Sequence, residues 1–394
     1  MAMRHVGPYN LLRGGSPLPF PRGGSPDPPR TIERLGLGAV VQEGHRAGSG
    51  SAAGAETRRA LWRQVVGLLA AAAVLLAAAG SARAGFSDIL RRVRDELGRV
   101  LLARDILVQP GEEVTLAASL RGGFRLEGVA GVRIQFHLHQ RRLGQIASDG
   151  DGDVAVRWTA PEEPGNYAVR VRVKPADQPE DEDDRVAPTR LLVAVRRPDV
   201  PLAIVDLDKT LVASGFHRVL LGSEGKPMAG SRTVLSRLAR THTIVYLTHR
   251  PDFLGPTSKT WLDRHGYPLG PVLTSTLGGL IRGSGAYKAK RLADLARDFK
   301  HLKLGIGDKV SDARAYAEGG LTSILILHVD WSEDDPEDYE ELAADLAALP
   351  KTVHVVTNWS AVAEVLFEGA SRPAGPMIRR LRRVAADLRR RGED

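Results

Sequence analysis

The sequence predicts a doubly wound α/β domain with a parallel sheet, preceded by an all-β sandwich. Three observations predict it. Across residues 201–327 short apolar runs alternate with amphipathic stretches of helical period, as in a parallel sheet with helices on both faces. Across residues 106–195 the period falls to two, with turn signals at PGEE, SDGDGD and PEEPGN, as in a sandwich of short strands. The apolar run at 202–205 breaks off into Asp206, Leu207, Asp208, Lys209 and Thr210, as a buried strand does where it leaves its sheet.

The chain has 394 residues, room for two or more domains. It has no cysteine, which excludes disulfides, zinc–thiolate sites and cysteine nucleophiles. The net charge of +8 is mostly arginine gathered near the two ends. Without an aromatic platform, this charge points away from nucleic acid and toward phosphate-bearing substrates or an anionic membrane surface.

Residues 1–84 are expected to be a leader without a core. The first 56 or so are rich in Pro, Gly, Ser and Arg, and this stretch could precede the true start of translation. A basic flank (Thr57, Arg58, Arg59, Arg63) then precedes an uncharged Ala/Leu run at 65–80 and the small-x-small pattern Ala82, Arg83, Ala84. That order predicts an export signal, with an uncleaved anchor as the alternative, and places the remainder in the periplasm or outside the cell. At 87–103 the apolar residues Ile89, Leu90, Val93, Leu97, Val100 and Leu101 recur at helical spacing, predicting a linker helix over 85–105.

The sandwich is expected over 106–198, with alternating runs Val114 to Leu120, Val132 to Leu138, Val154 to Trp158 and Tyr167 to Val173. It resembles a bacterial immunoglobulin-like domain without the disulfide. His137 and His139 fall on the polar face of their strand with no third metal ligand spaced for them. The acidic run 177–184 reads as a solvated hairpin loop.

The α/β domain is expected over 199–370. Its strands are expected at 202–205, 243–247, near Val272, at 302–306, 321–327 and 353–356. The helices between them are expected at 231–240, 258–265, 288–299 and 311–318, from 336, and after Asn358. Only a short irregular insertion follows Val212, so no large cap domain is expected. Residues 371–394 form a basic helix whose apolar stripe, Ile378, Leu381, Val384, Ala385 and Leu388, faces seven arginines. It reads equally as an interfacial membrane helix or as a helix docked on its own domain.

The chemistry gathers at strand ends, where open α/β sheets bind ligands. Asp206 and Asp208 project the same way from an extended chain. Two close carboxylates repel unless a cation sits between them, and Mg²⁺ is the default hard ion for oxygen ligands. Asp208 or Thr210 could alternatively just cap a helix. The next strand ends at Thr248, His249 and Arg250. A helix then opens with Lys288, and a further strand is followed by Gly307, Asp308, Ser311 and Asp312.

In that order, an acid pair, a hydroxyl, a lysine and a second acid pair resemble the motifs of haloacid dehalogenase-like (HAD) phosphatases. The stretches YLTHRP, TSKTWL, LGPVLTS and GIGDKVSDARAY resemble the catalytic domain of lipin-type and actin-patch-type phosphatidate phosphatases over residues 201–327. Lys209 departs from that pattern, which usually has glycine there. The resemblance implies an aspartyl-phosphate enzyme with Asp206 as nucleophile and Asp208 as acid and base. Thr248 would donate to the phosphoryl oxygens and a lysine would neutralise them. Lys288 is chosen over Lys290 because it shares a helix face with Leu292 and Leu295. Mg²⁺ would be held by Asp206, Asp308, Asp312 and the backbone carbonyl of Asp208, while Lys209, Thr210, His249 and Arg250 would lie near substrate. The implied substrate is phosphatidate or a related lipid phosphate. A phosphatase of soluble phosphoesters and a module that binds phosphatidate without cleaving it are the alternatives.

Overall fold

Strand alternation decides what the N-terminal half buries. In the computed structural model, which describes residues 99–122, 127–213, 225–275 and 284–393, the strands β1 (Val100–Ala103), β2 (Ile106–Val108), β3 (Glu113–Gly122), β4 (Glu127–Gly128), β5 (Arg133–Leu138), β6 (Arg141–Ala147), β7 (Asp153–Thr159), β8 (Gly165–Val173) and β9 (Thr189–Val195) form two sheets. One sheet joins β1, β3, β4 and β7, and the other runs β2-β9-β8-β5-β6. Every second residue points inward, so Leu116, Leu120, Ile134, Phe136, Val169, Val171, Leu191 and Val193 are buried between the sheets. The acidic run lies in the connection between the antiparallel strands β8 and β9, as expected.

One expectation is corrected. The linker helix predicted for 85–105 does not extend over Val100–Ala103, which is a strand paired antiparallel with β3. Its Leu101, Leu102 and Ala103 are buried, because the neighbouring strand offers backbone partners that local helical spacing cannot reveal. The leader, the export segment, the rest of that helix through residue 98 and most of the insertion after Val212 lie outside the described residues. All described residues fall in one unit, Gly54–Asp394.

The C-terminal half alternates strand and helix. Its elements are β10 (Leu202–Val205), α1 (Ser231–Leu238), β11 (Thr243–Pro251), α2 (Gly255–Arg264), β12 (Val272–Ser275), α3 (Ser284–Asp298), β13 (Leu302–Gly307), α4 (Val310–Glu318), β14 (Thr322–Ile326), α5 (Pro336–Ala347), β15 (His354–Val356), α6 (Trp359–Glu368) and α7 (Gly375–Glu393). The six strands pair in parallel in the order β12-β11-β10-β13-β14-β15. Strand order reverses between β10 and β13, and such a switch point opens a crevice at the carboxyl ends of the strands. β10 is apolar throughout because both its faces are covered: Ala203 and Val205 pack with α1, α2 and α6, and Leu202 and Ile204 with α3 and Tyr316 of α4. Gly305 lets α4 lie close to β13, since a Cβ there would stand 2.2 Å from the Tyr316 ring.

A short bend of the sandwich ties the two halves together. Between β1 and β2, the Asp105 carboxylate accepts the backbone N–H groups of Leu192 in β9 (2.7 Å) and Val272 in β12 (2.9 Å), and pairs with Lys259 of α2 (2.6 Å). Beside it, Arg104 pairs with Asp252 at 2.8 Å.

The C-terminal helix takes the docked form. Leu381 and Ala385 of α7 are fully buried against Tyr339, Ala343 and Leu346 of α5. The stripe offered as an interfacial face is therefore spent on the protein's own core. No helix among the described residues is long and apolar enough to cross a membrane.

Candidate active site

The end of β10 places Asp206 at the switch point. Its backbone N–H donates to the Ile306 carbonyl of β13 (2.9 Å), so the residue stays in the ladder while its side chain leaves the apolar core. Asp308 follows β13, and Asp312 sits in the first turn of α4. Gly307 keeps that turn close, since a Cβ there would lie 3.1 Å from Asp312 Cβ. Carboxylate oxygens of Asp206, Asp308 and Asp312 lie within 4.8 Å of one another.

Lys288 reaches the same point from α3. It is 1% exposed, with Nζ 3.1 Å from Asp206 Oδ1 and 2.5 Å from Asp312 Oδ2. Lys290 is exposed and lies 3.7 Å from Asp294 of its own helix. The shared face with Leu292 and Leu295, both buried, accounts for the difference.

Three carboxylates meet one ammonium, and the electrostatics follow. Burial pushes the Asp206 carboxyl up, Lys288 pulls it down, and Asp312, Asp308 and Asp208 push it up further. Burial and Asp312 raise Asp308 as well. Burial alone would lower the Lys288 ammonium, but Asp206, Tyr316 and Asp312 hold it well above its ordinary value. Asp308 Oδ1 is buried without a hydrogen-bond partner. Clustered hard oxygens, excess negative charge and an unsatisfied carboxylate oxygen together fit a small divalent cation.

Asp208 goes elsewhere. Its side chain is not one of the clustered acids; both its oxygens accept from Arg250, from Nε at 2.9 Å and Nη2 at 2.7 Å. The resemblance implies a place beside substrate for Arg250. It is 4% exposed, and its Nη1 donates to Ser258 Oγ of α2 (3.0 Å), so in this structure it holds Asp208. Thr248 is buried, and its Oγ1 accepts the Arg250 N–H at 3.2 Å. His249 is half-buried with its ring 5.7 Å from that of Tyr287.

Lys209 is exposed and has φ +50°, the left-handed region that favours glycine, which gives a backbone reason for the glycine expected there. Its carbonyl accepts from His328 Nε2 at 2.6 Å. Thr210 is fully buried, its Oγ1 has no partner, and its carbonyl accepts from Trp359 Nε1 at 2.8 Å. His328, Trp359, Ser258 and Ser284, whose Oγ donates to Asp312 at 3.3 Å, escaped the sequence reading. His328, Trp359 and Ser284 are remote in sequence from the groups they support, whereas Ser258 lies only eight residues from Arg250. Opening a helix, as Trp359 and Ser284 do, is the local signal these two carry.

The fold and site thus define an α/β domain with a buried acid–lysine cluster at the switch point of a six-stranded parallel sheet. Residues 203–329, about a third of the chain, match the family model of the LNS2 domain of PITM 1-3. No curated protein matches the chain. Among solved structures, the D00-D0 domain of Intimin is 14% identical and covers 25% of this chain and 48% of its own, with a TM-score of 0.19. The chain thus spans about half the length of that relative. A CARDB domain from Pyrococcus furiosus is 13% identical, with coverages of 25% and 86% and a TM-score of 0.18. A glycosyl hydrolase family 2 member from Bacteroides cellulosilyticus is 12% identical, with coverages of 66% and 35% and a TM-score of 0.24. Likeness at these scores defines no shared fold.

Proposed function

We propose that the α/β domain is a HAD-type phosphatase that hydrolyses a phosphomonoester of an amphiphilic alcohol, a lipid phosphate such as phosphatidate. The observation that carries this reading is the convergence of Asp206, Asp308, Asp312 and Lys288, from four separate elements, at the carboxyl ends of the strands. The LNS2 match over the same residues supports it.

Phosphoryl transfer asks for positioning and for neutralisation of charge on the transferred group. A carboxylate oxygen of Asp206 attacks phosphorus in line with the ester oxygen, and the P–O ester bond breaks. The departing alkoxide takes a proton from Asp208. Water then attacks the aspartyl-phosphate and gives a proton back to Asp208, which frees inorganic phosphate and restores Asp206. Lys288 offsets charge on the phosphoryl oxygens and keeps Asp206 aligned. Asp206, Asp308 and Asp312 would hold Mg²⁺, which supplies neutralisation of the phosphoryl group when bound. Arg250 orients Asp208, and proton transfer requires that pair to loosen when substrate enters.

A second reading rests on that same pair. Arg250 occupies both oxygens of Asp208, an arrangement suited to a module that binds a phosphate ester without cleaving it. Phosphate release from phosphatidate and from a soluble phosphoester, with Mg²⁺ and with chelator, decides between the two. Hydrolysis predicts Mg²⁺-dependent release that is abolished in Asp206→Asn. Phosphatidate binding with no release under any condition would overturn hydrolysis in favour of the module. Release from the soluble ester alone would overturn the lipid substrate.

A further inference from the structure

Two lysines at the mouth of the candidate active site stand where local physics disfavours them. Lys209, in the turn after Asp208, has φ +50°, a left-handed conformation in which a side chain costs stability and glycine does not. The turn imposes it: the Leu207 carbonyl accepts the N–H groups of Leu211 and Val212 at 2.8 and 3.0 Å, and the Lys209 carbonyl accepts from His328 Nε2 at 2.6 Å. Lys309 is the N-cap of α4, extended and with no capping hydrogen bond from its side chain. Ser, Thr, Asn or Asp would cap there, and a cation opposes the positive end of the helix dipole. Side chains kept against local preference mark sites selected for something besides folding.

The topology brings the two lysines together. His328 follows β14, and β13 lies between β14 and β10. The bond from His328 therefore carries Lys209 across the end of β13, where Asp308 and Lys309 follow. Both lysines are exposed, and among the described residues neither pairs with a carboxylate. Burial and Asp312 raise the Asp308 carboxyl while Lys288 and Lys309 pull it down, which puts the Lys309 charge within reach of the acid cluster. The loop after β14 runs on to α5, where the Asp330 and Glu333 carbonyls accept the Tyr339 hydroxyl at 2.9 and 3.2 Å, and its acids pair with neither lysine. The crevice thus has an acidic floor and a basic rim.

We propose that Lys209 and Lys309 form a specificity subsite at the crevice mouth for a second anionic group, a carboxylate or a further phosphate, on the alcohol of the phosphomonoester. The buried acids and Lys288 face the scissile phosphoryl, whereas exposed ammoniums at the rim meet the part of a substrate that extends outward. The subsite rests on the phosphatase reading above and ranks the substrates within it. An ester whose alcohol carries a second negative charge is preferred to phosphatidate, whose alcohol is neutral. Rim cations that served only the scissile phosphoryl would favour both esters equally.

The test compares propyl phosphate with 3-phosphonooxypropanoate, which adds a carboxylate, and phosphatidate with phosphatidylglycerol phosphate, whose alcohol carries a phosphodiester. Phosphate release by the full chain in Mg²⁺ gives kcat/KM for each. Exposed ion pairs contribute a few-fold each, so two lysines should favour the charged ester by about tenfold, and by less at high salt. A preference in one pair alone supports the subsite and tells a soluble alcohol from a lipid headgroup. Lys209→Gly and Lys309→Ser should each lower that ratio and melt no lower than the parent, since glycine suits the turn and serine caps the helix. Lys209→Arg should keep the ratio. No preference in the parent for either pair, or an equal fall for both esters in the variants, would overturn the subsite. So would a glycine variant that melts below the parent, which would give Lys209 a structural role. Should no ester release phosphate, calorimetric binding of the same esters decides separately. Tighter binding of the charged ester, lost in Lys209→Gly, keeps the subsite and overturns hydrolysis; equal or absent binding overturns the subsite.

Discussion

Replacing Lys288 with methionine keeps an unbranched side chain of similar length in a fully buried position and removes only the ammonium. That ammonium stands 3.1 Å from Asp206 and 2.5 Å from Asp312, with Asp308 in the same cluster. Removing one partner of a buried ion pair costs about 3–5 kcal/mol, because the remaining charge is left uncompensated. That is a large share of the roughly 5–15 kcal/mol that holds a domain together. A divalent ion among the acids would restore part of the loss, about 2.7 kcal/mol at a hundred times its dissociation constant. The assay is urea unfolding of parent and variant, each in chelator and in Mg²⁺. The variant should lose about 3–5 kcal/mol in chelator and gain more from Mg²⁺ than the parent does. Its phosphate release should fall on the order of a hundredfold to a thousandfold. A variant as stable as the parent in chelator, or one indifferent to Mg²⁺, would refute a carboxylate cluster held together by positive charge.

Arg250→Gln separates the two readings of the acid–arginine pair. If the pair orients Asp208 for proton transfer, turnover falls at least about tenfold while KM changes little; a rise in turnover would show that Arg250 restrains Asp208. Leu381→Ala should lower stability by about 2–5 kcal/mol in thermal or urea unfolding, as for other buried leucines; a change within error would mean that α7 is not docked on α5 in solution. In the sandwich, hydrogen bonds from the Arg133 side chain and backbone hold Asp177 down at about 2. A carboxyl depressed on folding stabilises the fold fully above its ordinary range and loses that contribution as pH falls toward 2. Arg133→Gln should return Asp177 to the ordinary range in an NMR titration, and an unmoved titration would sink the assignment.

The period of the apolar residues was enough to place the six strands of the C-terminal sheet and the inward face of α3. Lys288 could be singled out because a helix repeats every 3.6 residues and Leu292 and Leu295 fix which side is buried. Local spacing gave out where long-range partners decide. The segment Val100–Ala103 has apolar residues compatible with helix or strand, and pairing with β3 settles it. β11 runs on through His249 and Arg250 to Pro251 because Pro251 registers with Ser275 of β12, which no short window around TIVYL contains. The Asp208–Arg250 pair joins residues 42 apart, and each of the two had a sensible solitary reading. The stripe on α7 is amphipathic under either reading, since periodicity states that a face will be covered and not by what.

The bend at Ala103, Arg104 and Asp105 bears on how this protein could be dissected. A fragment beginning at residue 199 would keep the whole acid cluster, yet it would strand the Lys259 ammonium and the Val272 N–H without their acceptor and release Asp252 from Arg104. Lys259 adjoins Ser258, which steadies Arg250, so the severed contacts lie one residue from the support of Asp208. The junction near Pro198 marks a change of architecture, and a gene fragment cut there would inherit a loosened α/β half.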